Sequence, residues 1–231
     1  MYSKRHQVEF EKYAKTYDSN ALVQKRVAKE LVQKLDFRPK TILDLGCGTG
    51  EIYKNISWEV DKFVGVDSSK AMCKLHPKND KTEIFCDDFE SKDFIEKIAK
   101  QRPFDLIVSS SSLQWSRDIR RVFDSYSNLS QKVAFSIFTS GTFKTIYEIT
   151  GRDSFLPSFD SLVMLSSTFK KPNIEKKVFK VNFDDTVSML KYIKMSGTSG
   201  GNRVLNYKEI KYLIERYPYN YLEFELIFIT N

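Results

Sequence analysis

Residues 41–50 read Thr41-Ile42-Leu43-Asp44-Leu45-Gly46-Cys47-Gly48-Thr49-Gly50. An apolar run ends here in an acid and is followed by three glycines at alternate positions, which predicts a buried strand entering a tight turn. Glycine suits such a turn because it tolerates positive φ and lets backbone approach a ligand without a Cβ. The N–H groups at the start of the next helix then face the crevice. The stretch therefore predicts a ligand-binding strand, turn and helix.

Three cofactor classes compete for this turn. A dinucleotide fingerprint needs G-x-G-x-x-G, whereas the spacing of Gly46, Gly48 and Gly50 is one residue short. A phosphate-binding Walker loop needs a lysine after its last glycine, but Glu51 follows Gly50. The whole string resembles motif I of the class I S-adenosylmethionine-dependent methyltransferases. The resemblance implies S-adenosylmethionine as the cofactor, and its site would include Asp44, Gly46, Cys47, Gly48 and Gly50.

A second acid ends the next predicted strand, residues 62–67. Asp67 lies about 20 residues beyond the glycines, the offset at which an acid accepts hydrogen bonds from a ribose diol. It could also cap a helix that starts near Ser69, because Asp-Ser-Ser is a good capping sequence. The two roles are compatible, since they use different lone pairs. We expect Asp67, with Ser68 beside it, in the cofactor site.

The third predicted strand, residues 82–86, ends before Asp87-Asp88-Phe89. A carboxylate at this position can accept from the exocyclic amine of adenine, and an aromatic ring can cover the base. Two adjacent aspartates on a turn are otherwise ordinary solvated residues. We predict Asp87 as the adenine partner, with Asp88 as the next candidate and Phe89 over the base.

A run of polar residues follows the fourth predicted strand, residues 104–109. In an open parallel sheet this end lies beside the point where ligands bind, so Ser109 and residues 110–115 should face the reacting methyl group. Methyltransferases that act on nucleobase amines carry N/D-P-P-Y/F here, and no such tetrad is present. Its absence argues against amino-methylation of nucleic acid but leaves O- and C-methylation open.

Strands alternate with helices along the chain, which predicts right-handed βαβ crossovers and an α/β fold with helices on both faces of the sheet. The motif I resemblance implies a Rossmann-like, seven-stranded, mostly parallel sheet whose last strand is antiparallel. We predict one domain over residues 1–231, with N-terminal helices in residues 1–38 and a helical lid insertion at about residues 184–217. Further predicted elements include a helix at 9–17, a helix from Asp118 capped by Ser116, and an irregular stretch at 151–173.

Composition limits the possible environment and partners. The 231 residues contain no apolar run near the ~20 that a membrane span needs, and the start lacks the apolar stretch of a signal peptide. We therefore predict a cytoplasmic protein. Three cysteines without a C-x-x-C motif and two distant histidines predict reduced, mostly buried thiols and no metal site. The net charge of +7 suits nucleic acid, an anionic membrane face or an acidic protein, or it is a solvated lysine-rich surface.

Other segments resemble the malonyl-acyl-carrier-protein O-methyltransferases of biotin synthesis. The resemblance covers most of the chain and is weakest from residue 152 to 176. Ser110, Ser111 and Ser112 depart from it, because that family often has an asparagine and an alanine there. The matching segments include Phe10-x-Lys12-Tyr13-Ala14-x-x-Tyr17-Asp18-x-x-Ala21-x-x-Gln24, Leu113-Gln114-Trp115 and Leu190-x-x-Ile193-Lys194-x-x-Gly197.

This resemblance implies methyl transfer to the free carboxylate of a malonyl thioester. Tyr17 and Gln114 would orient the carboxylate, and Trp115 would exclude water, although a tryptophan here could also be ordinary packing. Gln24 would belong to the acceptor side. The partner would be an acidic acyl carrier protein, for which Lys191, Lys194 and Arg203 offer a basic docking rim or only a solvated helix face.

Several alternatives remain open at this stage. A small free carboxylic acid could replace the carrier-bound acceptor. An RNA-directed methyltransferase is supported by the charge, although we do not expect nucleic acid as a partner. A module that binds the cofactor without turnover is the third possibility. We predict a monomer that acts away from the membrane.

Overall fold

A computed structural model describes residues 21–195 and 205–231, without the side chains of residues 194 and 195. The described residues form a seven-stranded sheet with helices on both faces. The strands are β1 Thr41–Leu45, β2 Lys62–Asp67, β3 Thr82–Cys86, β4 Leu106–Ser110, β5 Val133–Phe138, β6 Asn173–Asn182 and β7 Tyr221–Thr230.

Nine α-helices connect these strands within the described ranges. They are α1 Leu22–Gln33, α2 Glu51–Asn55, α3 Lys70–Leu75, α4 Lys92–Ala99, α5 Ile119–Tyr126, α6 Lys144–Thr150, α7 Phe159–Ser166, α8 Thr186–Met195 and α9 Tyr207–Arg216. Leu113–Trp115 adds a single 3-10 turn before α5. None of the helices in these ranges is long and apolar enough to cross a membrane.

The strand order is β3-β2-β1-β4-β5-β7-β6. Strands β1 to β5 pair in parallel, whereas β7 lies between β5 and β6 and is antiparallel to both. This order confirms the predicted mostly parallel sheet with an antiparallel last strand. It also brings the carboxyl ends of β1 and β4 side by side, at the edge where such sheets bind ligands.

The sheet is buried on both faces. One layer packs around α1, where Val23, Val27 and Leu31 contact strand residues such as Ile42. The other layer packs around α4 and α5, and Phe94 of α4 is buried there with apolar residues of the strands. A parallel sheet covered on both faces needs strands that are apolar throughout, and β5 is fully buried along its length. The core therefore holds the strand ends rigidly in place.

Three local predictions were wrong. Asp118, not Ser116, caps α5, because its Oδ1 accepts from the N–H of Arg121 at 3.1 Å. The stretch predicted to be irregular contains α7, which Ser158 caps. The sequence pattern predicts the sixth strand at residues 176–183, but β6 begins at Asn173, because it pairs with β7 along its whole length.

The helical excursion after β6 consists of α8 and α9. Met189 and Tyr192 of α8 are buried in the core that also contains α1. Residues 196–204 and 1–20 lie outside the described residues, so the predicted lid and the predicted helix at 9–17 stay predictions. Cys47 and Cys73 are buried as predicted, whereas Cys86 is exposed at the end of β3.

Candidate active site

The glycine loop that follows β1 has a left-handed backbone conformation at its three glycines. Gly46, Gly48 and Gly50 have φ angles of 73°, 52° and 86°, which L side chains rarely adopt. A Cβ on Gly48 would meet no atom within 4 Å, so the backbone there borders open space. A Cβ on Gly46 would lie 1.8 Å from Oγ of Ser112. The loop therefore needs glycine both for its turn and for its contact with the segment after β4.

Asp44 is a buried acid beneath this loop. Its side chain is 1% exposed, and neither carboxylate oxygen has a hydrogen-bond partner among the described residues. Burial, and then the charge of Asp67, raise the pKa of the Asp44 carboxyl well above its usual range. A cation placed beside the carboxylate would offset both effects. Because S-adenosylmethionine carries a sulfonium and an ammonium group, Asp44 fits the predicted cofactor.

Asp67 holds two backbone segments at the end of β2. Its Oδ2 accepts from the N–H of Gly48 at 3.0 Å, and its Oδ1 accepts from the N–H of Ser69 at 2.8 Å. The helix cap is Ser69, whose side chain accepts from the N–H of Met72. Asp67 is therefore fixed against the glycine loop, at the position expected for a ribose contact, and Ser68 is exposed beside it.

The turn after β3 distinguishes the two adjacent aspartates. Asp88 forms an ion pair with Arg117 at 2.8 Å and accepts from the N–H of Glu90 at 2.9 Å. Oδ1 of Asp87 accepts from the N–H of Asp88 at 2.7 Å. The Phe89 ring lies 3.9 Å from the position of a Cβ on Gly46. Both Asp88 oxygens are therefore engaged within the protein, so Asp87 stays the predicted adenine partner, with Phe89 beside the loop.

A small cavity of about 40 Å³ adjoins the glycine loop, and Gln24, Asp44, Gly48 and Ser110 are among its lining residues. Gln24 is 8% exposed, and its Oε1 has no partner among the described residues. The sequence placed Gln24 on the acceptor side. It lies on α1 and lines the same cavity as Asp44, so its acceptor role stays a prediction and a contact with the cofactor is an alternative.

Two other residues that were predicted to bind the cofactor have side chains that contact other residues of the protein. Ser109 is fully buried, and its hydroxyl donates to the carbonyl of Leu45 at 2.6 Å, so it positions the loop. The thiol of Cys47 packs on Gly65, where an added Cβ would lie 2.9 Å from Sγ. Burial raises the pKa of the Cys47 thiol well above its usual range, which keeps it neutral and unreactive. The backbone of Cys47 is engaged within the protein, because its N–H donates to the carbonyl of Val66 at 3.0 Å and its carbonyl accepts from the N–H of Gly50 at 2.9 Å.

The segment after β4 presents neutral polar groups beside the loop. Ser111 has a φ of 56°, a conformation that is uncommon for residues other than glycine and suggests a functional position. Its buried hydroxyl has no partner among the described residues. Gln114 is 7% exposed, and its Nε2 donates to the carbonyl of Ser111 at 2.6 Å while its Oε1 has no partner in the described ranges. Both side chains can therefore bind a ligand group.

The ring of Trp115 closes one side of this segment. It stacks on Phe155, with centroids 5.8 Å apart and an angle of 20° between the ring planes. Phe155 comes from the stretch between α6 and α7, so two distant segments meet here. This arrangement fits a wall against water, the role that the sequence predicted for Trp115.

A larger open cavity, about 910 Å³, lies at the opposite edge of the sheet, where Phe37, Lys132 and Asn231 are among its lining residues. Ligands in this kind of sheet bind at the carboxyl ends of the strands, so this cavity is not the candidate site. Within the described residues, no group of His, Cys, Asp and Glu side chains could hold a metal ion.

Comparison with known proteins assigns the family of the chain. Residues 16–145, more than half of the chain, match the family model of a methyltransferase domain. The chain belongs to this methyltransferase family. Family membership confirms the predicted cofactor, S-adenosylmethionine, and Asp44, Asp67 and the glycine loop stay its predicted binding residues.

Curated relatives of this methyltransferase include proteins named malonyl-[acyl-carrier protein] O-methyltransferase. The one from Priestia megaterium is 32% identical over 150 residues, which is 60% of this chain and 53% of the relative. A second, from Ilyobacter polytropus, is 28% identical over 247 aligned positions that cover 96% of this chain and 92% of the relative.

Solved structures share the fold of this methyltransferase. The YcgJ protein of Bacillus subtilis has a TM-score of 0.62 at 13% identity, covering 89% of this chain and 97% of that protein. The plantazolicin methyltransferase BamL, solved in complex with SAH, has a TM-score of 0.54 at 13% identity and covers 100% of this chain and 95% of that one.

Some predicted residues of the methyltransferase lie outside the described part. They are Tyr17, Arg203 and the side chain of Lys194. Lys191 is exposed on α8. The sequence placed residues 110–115 towards the reacting methyl group but did not single out Ser111, whose buried hydroxyl has no partner among the described residues. The run of three serines after β4 was the available signal.

Proposed function

We propose that this methyltransferase esterifies the free carboxylate of a malonyl thioester carried by an acyl carrier protein. The observation that carries the proposal is the buried, unpartnered hydroxyl of Ser111 at the carboxyl end of β4, beside the Gln114 amide, whose Nε2 donates to the Ser111 carbonyl. Relatives with this printed activity align across 96% of the chain, which supports the same acceptor. The remaining support is the chemistry that such a site can provide.

A malonyl carboxylate suits neutral donors. It is ionised at pH 7, so its oxygen can attack without a general base. When bound, S-adenosylmethionine supplies a methyl group on a positively charged sulfur. The hydroxyl of Ser111 and the second N–H of the Gln114 amide can each donate to the carboxylate and fix its direction. Catalysis then rests on holding the reacting atoms in line at roughly 3 Å.

A cation bound directly to the attacking oxygen would weaken its nucleophilicity. Arg117 is the nearest basic residue along the chain from Gln114, and its guanidinium is paired with Asp88 at 2.8 Å and Glu90 at 3.3 Å. Opposite charges that neutralise each other during the transfer also react more readily away from water. Trp115 on Phe155 provides the apolar wall for such a site.

The glycine loop after β1 and the acceptor segment after β4 are connected through neighbouring strands. Strands β1 and β4 are adjacent and parallel, with Asp44 paired to Val108. The contact between Gly46 and Ser112 then fixes the distance between the glycine loop and the acceptor segment. The chain can therefore align donor and acceptor without moving a strand.

The test is incubation with labelled S-adenosylmethionine and four acceptors in parallel. These are malonyl-carrier protein, a malonyl thioester without a carrier, small free carboxylic acids, and RNA. We expect a base-labile methyl ester on the malonyl-carrier protein. Ser111→Ala should lower its kcat/KM by about 10-fold, roughly 1.4 kcal/mol, while Ser127→Ala, on the far end of α5, should have no effect.

Other outcomes identify the alternatives. Label in RNA, with binding that weakens steeply as salt rises, would assign an RNA-directed enzyme. Preference for a small acid would assign a metabolite O-methyltransferase. Thermal stabilisation by S-adenosylhomocysteine without transfer to any acceptor would indicate a binding module.

A further inference from the structure

A groove of about 490 Å³ runs between α5 and α7, beside the candidate acceptor site. We call it the α5–α7 groove; its lining includes Gln114, Arg117, Arg120, Phe155, Pro157 and Met164. Gln114 is 7% exposed, whereas Met164 is 73% exposed. The groove therefore leads from the acceptor site to the protein surface.

The walls of the α5–α7 groove differ in chemistry. Phe155, Pro157 and Met164 form an apolar wall, and the basic residues come from the start of α5. Arg117 is engaged by Asp88 and Glu90. Arg120 is exposed, and no ion pair joins it to another residue of the described ranges. The groove thus combines an apolar side with the Arg120 cation and with Asp118, whose Oδ1 caps α5.

Met164 adds a second feature at the rim. It is the most exposed large apolar side chain of the described residues apart from Tyr207. Methionine is flexible and suits surfaces that bind a partner. Its helix α7 ends the apolar wall, so a partner above the groove would contact Met164 and Arg120 together.

We infer that the α5–α7 groove binds the phosphopantetheine arm of the acyl carrier protein, with Arg120 at the phosphodiester and Met164 beneath the carrier. The inference rests on the proposed function and adds the route of the substrate. An arm of methylene and amide groups that ends in a thioester can lie against the apolar wall and reach Gln114, which also lines the groove. Its phosphate and the acidic carrier both complement a cation at the rim.

This location differs from the basic rim expected on the helical excursion. Lys191 is exposed on α8, but it is not among the residues that line the α5–α7 groove. The two sites can therefore be separated by mutation. Arg121 is the matched control for Arg120, because it is the next residue of α5, is also exposed, and does not line the groove.

The experiment measures KM for three malonyl thioesters with the full-length chain. Malonyl-carrier protein has arm, phosphate and carrier; malonyl-coenzyme A has arm and phosphate; malonyl-N-acetylcysteamine has neither phosphate nor carrier. For Arg120→Glu we expect the ratio of KM for the carrier substrate to KM for malonyl-N-acetylcysteamine to rise about 10-fold or more. The ratio for malonyl-coenzyme A should rise too, though by less. Met164→Asp should raise only the carrier ratio.

The controls decide between the sites. Arg121→Glu should leave both ratios within about twofold of the wild-type values. Equal ratios for Arg120→Glu and Arg121→Glu, or a rise confined to Lys191→Glu, would overturn the groove while leaving the proposed function intact. Absence of turnover on all three thioesters by the wild-type chain would overturn the proposed function itself, and the groove with it.

Discussion

Arg117 donates from Nη2 to Oδ2 of Asp88 across 2.8 Å and so joins the turn after β3 to the start of α5. The same guanidinium donates from Nε to Oε2 of Glu90 at 3.3 Å. The backbone N–H groups of Arg117 and Asp118 also donate to the Glu90 carboxylate. Arg117 therefore stabilises both the turn that carries the proposed adenine contact and the start of α5, which lines the α5–α7 groove.

This pairing predicts different effects for the two aspartates of the turn. Asp88 uses both carboxylate oxygens within the protein, so Asp88→Asn should weaken binding of S-adenosylhomocysteine by less than about threefold. Asp87→Asn should weaken it about 10-fold, which corresponds to ~1.4 kcal/mol. Isothermal titration calorimetry of both variants gives the comparison. A larger loss for Asp88→Asn would move the adenine contact to Asp88.

Asp44→Asn should stabilise the ligand-free protein while weakening cofactor binding. Burial and the nearby Asp67 raise the pKa of the Asp44 carboxyl, so its charge destabilises the fold at neutral pH. Removing about 1 kcal/mol of this cost raises Tm by ~2–4 °C for a chain of this size. Below about pH 4 the Asp44 carboxyl is protonated in both the folded and the unfolded state. The difference in Tm between Asp44→Asn and the wild type should therefore shrink as pH falls towards that value.

Asp105→Asn is the control for the change in Tm on removing the Asp44 charge, and we expect it to change Tm in the opposite direction. Although burial raises the pKa of Asp105, hydrogen bonds from Thr41 and Lys40 lower it below the usual range. Its charged form therefore stabilises the fold at pH 7, and Asp105→Asn should lower Tm there. Calorimetric scans of both variants with and without S-adenosylhomocysteine test the pair. A ligand-free Asp44→Asn protein that melts below the wild type at pH 7 would contradict the argument.

The strands that carry the predicted cofactor residues could be predicted from sequence because their signals are local. Residues 62–67 and 82–86 form strands as expected, since each is a short apolar run that ends at a turn. Asp67 follows from its offset to the glycines. The helix α7 was missed because only Leu162 and Ser166 of its eight residues are buried, which leaves a weak periodic pattern.

The acceptor side depends on contacts between distant segments. Ser111 takes its left-handed conformation while its N–H donates to the carbonyl of Ser136 on β5 at 2.9 Å. Trp115 stacks on Phe155, which is 40 positions away in a stretch of little regular structure. Neither contact has a signature in the local sequence. The α5–α7 groove could not be predicted from sequence, because α7, which forms one of its walls, was not predicted.

Gln114→Glu should abolish most activity on malonyl acceptors. The substitution keeps the shape of the side chain but places a carboxylate where the substrate carboxylate must bind. Like charges in a water-poor site repel strongly, and we expect kcat/KM to fall by about 100-fold or more. Binding of S-adenosylhomocysteine should stay within about twofold of wild type. Gln131→Glu, exposed at the opposite edge of the sheet, makes the same charge change as a control.

His76 supports the glycine loop from behind. A Cβ on Gly50 would lie 3.0 Å from both Cδ2 and Nε2 of its ring, which packs between Tyr53 and Phe63. Nδ1 lies 2.7 Å from the carbonyl of Pro77. Because a carbonyl only accepts, Nδ1 carries the proton and Nε2 is unprotonated in the neutral ring.

Acidification should therefore destabilise the folded protein through His76. Burial lowers the pKa of His76; the Pro77 hydrogen bond partly offsets this, and the charges of Lys54 and Lys78 lower it further. The unfolded chain then binds the proton first, so the stabilisation present above about pH 6.5 is lost as pH falls through the lower folded pKa. Between pH 8 and pH 5, the Tm of the wild type should fall more steeply than the Tm of His76→Phe. His6→Ala, which removes the other histidine, should keep the wild-type slope; if His6→Ala flattened the curve instead, His6 would be the titrating group.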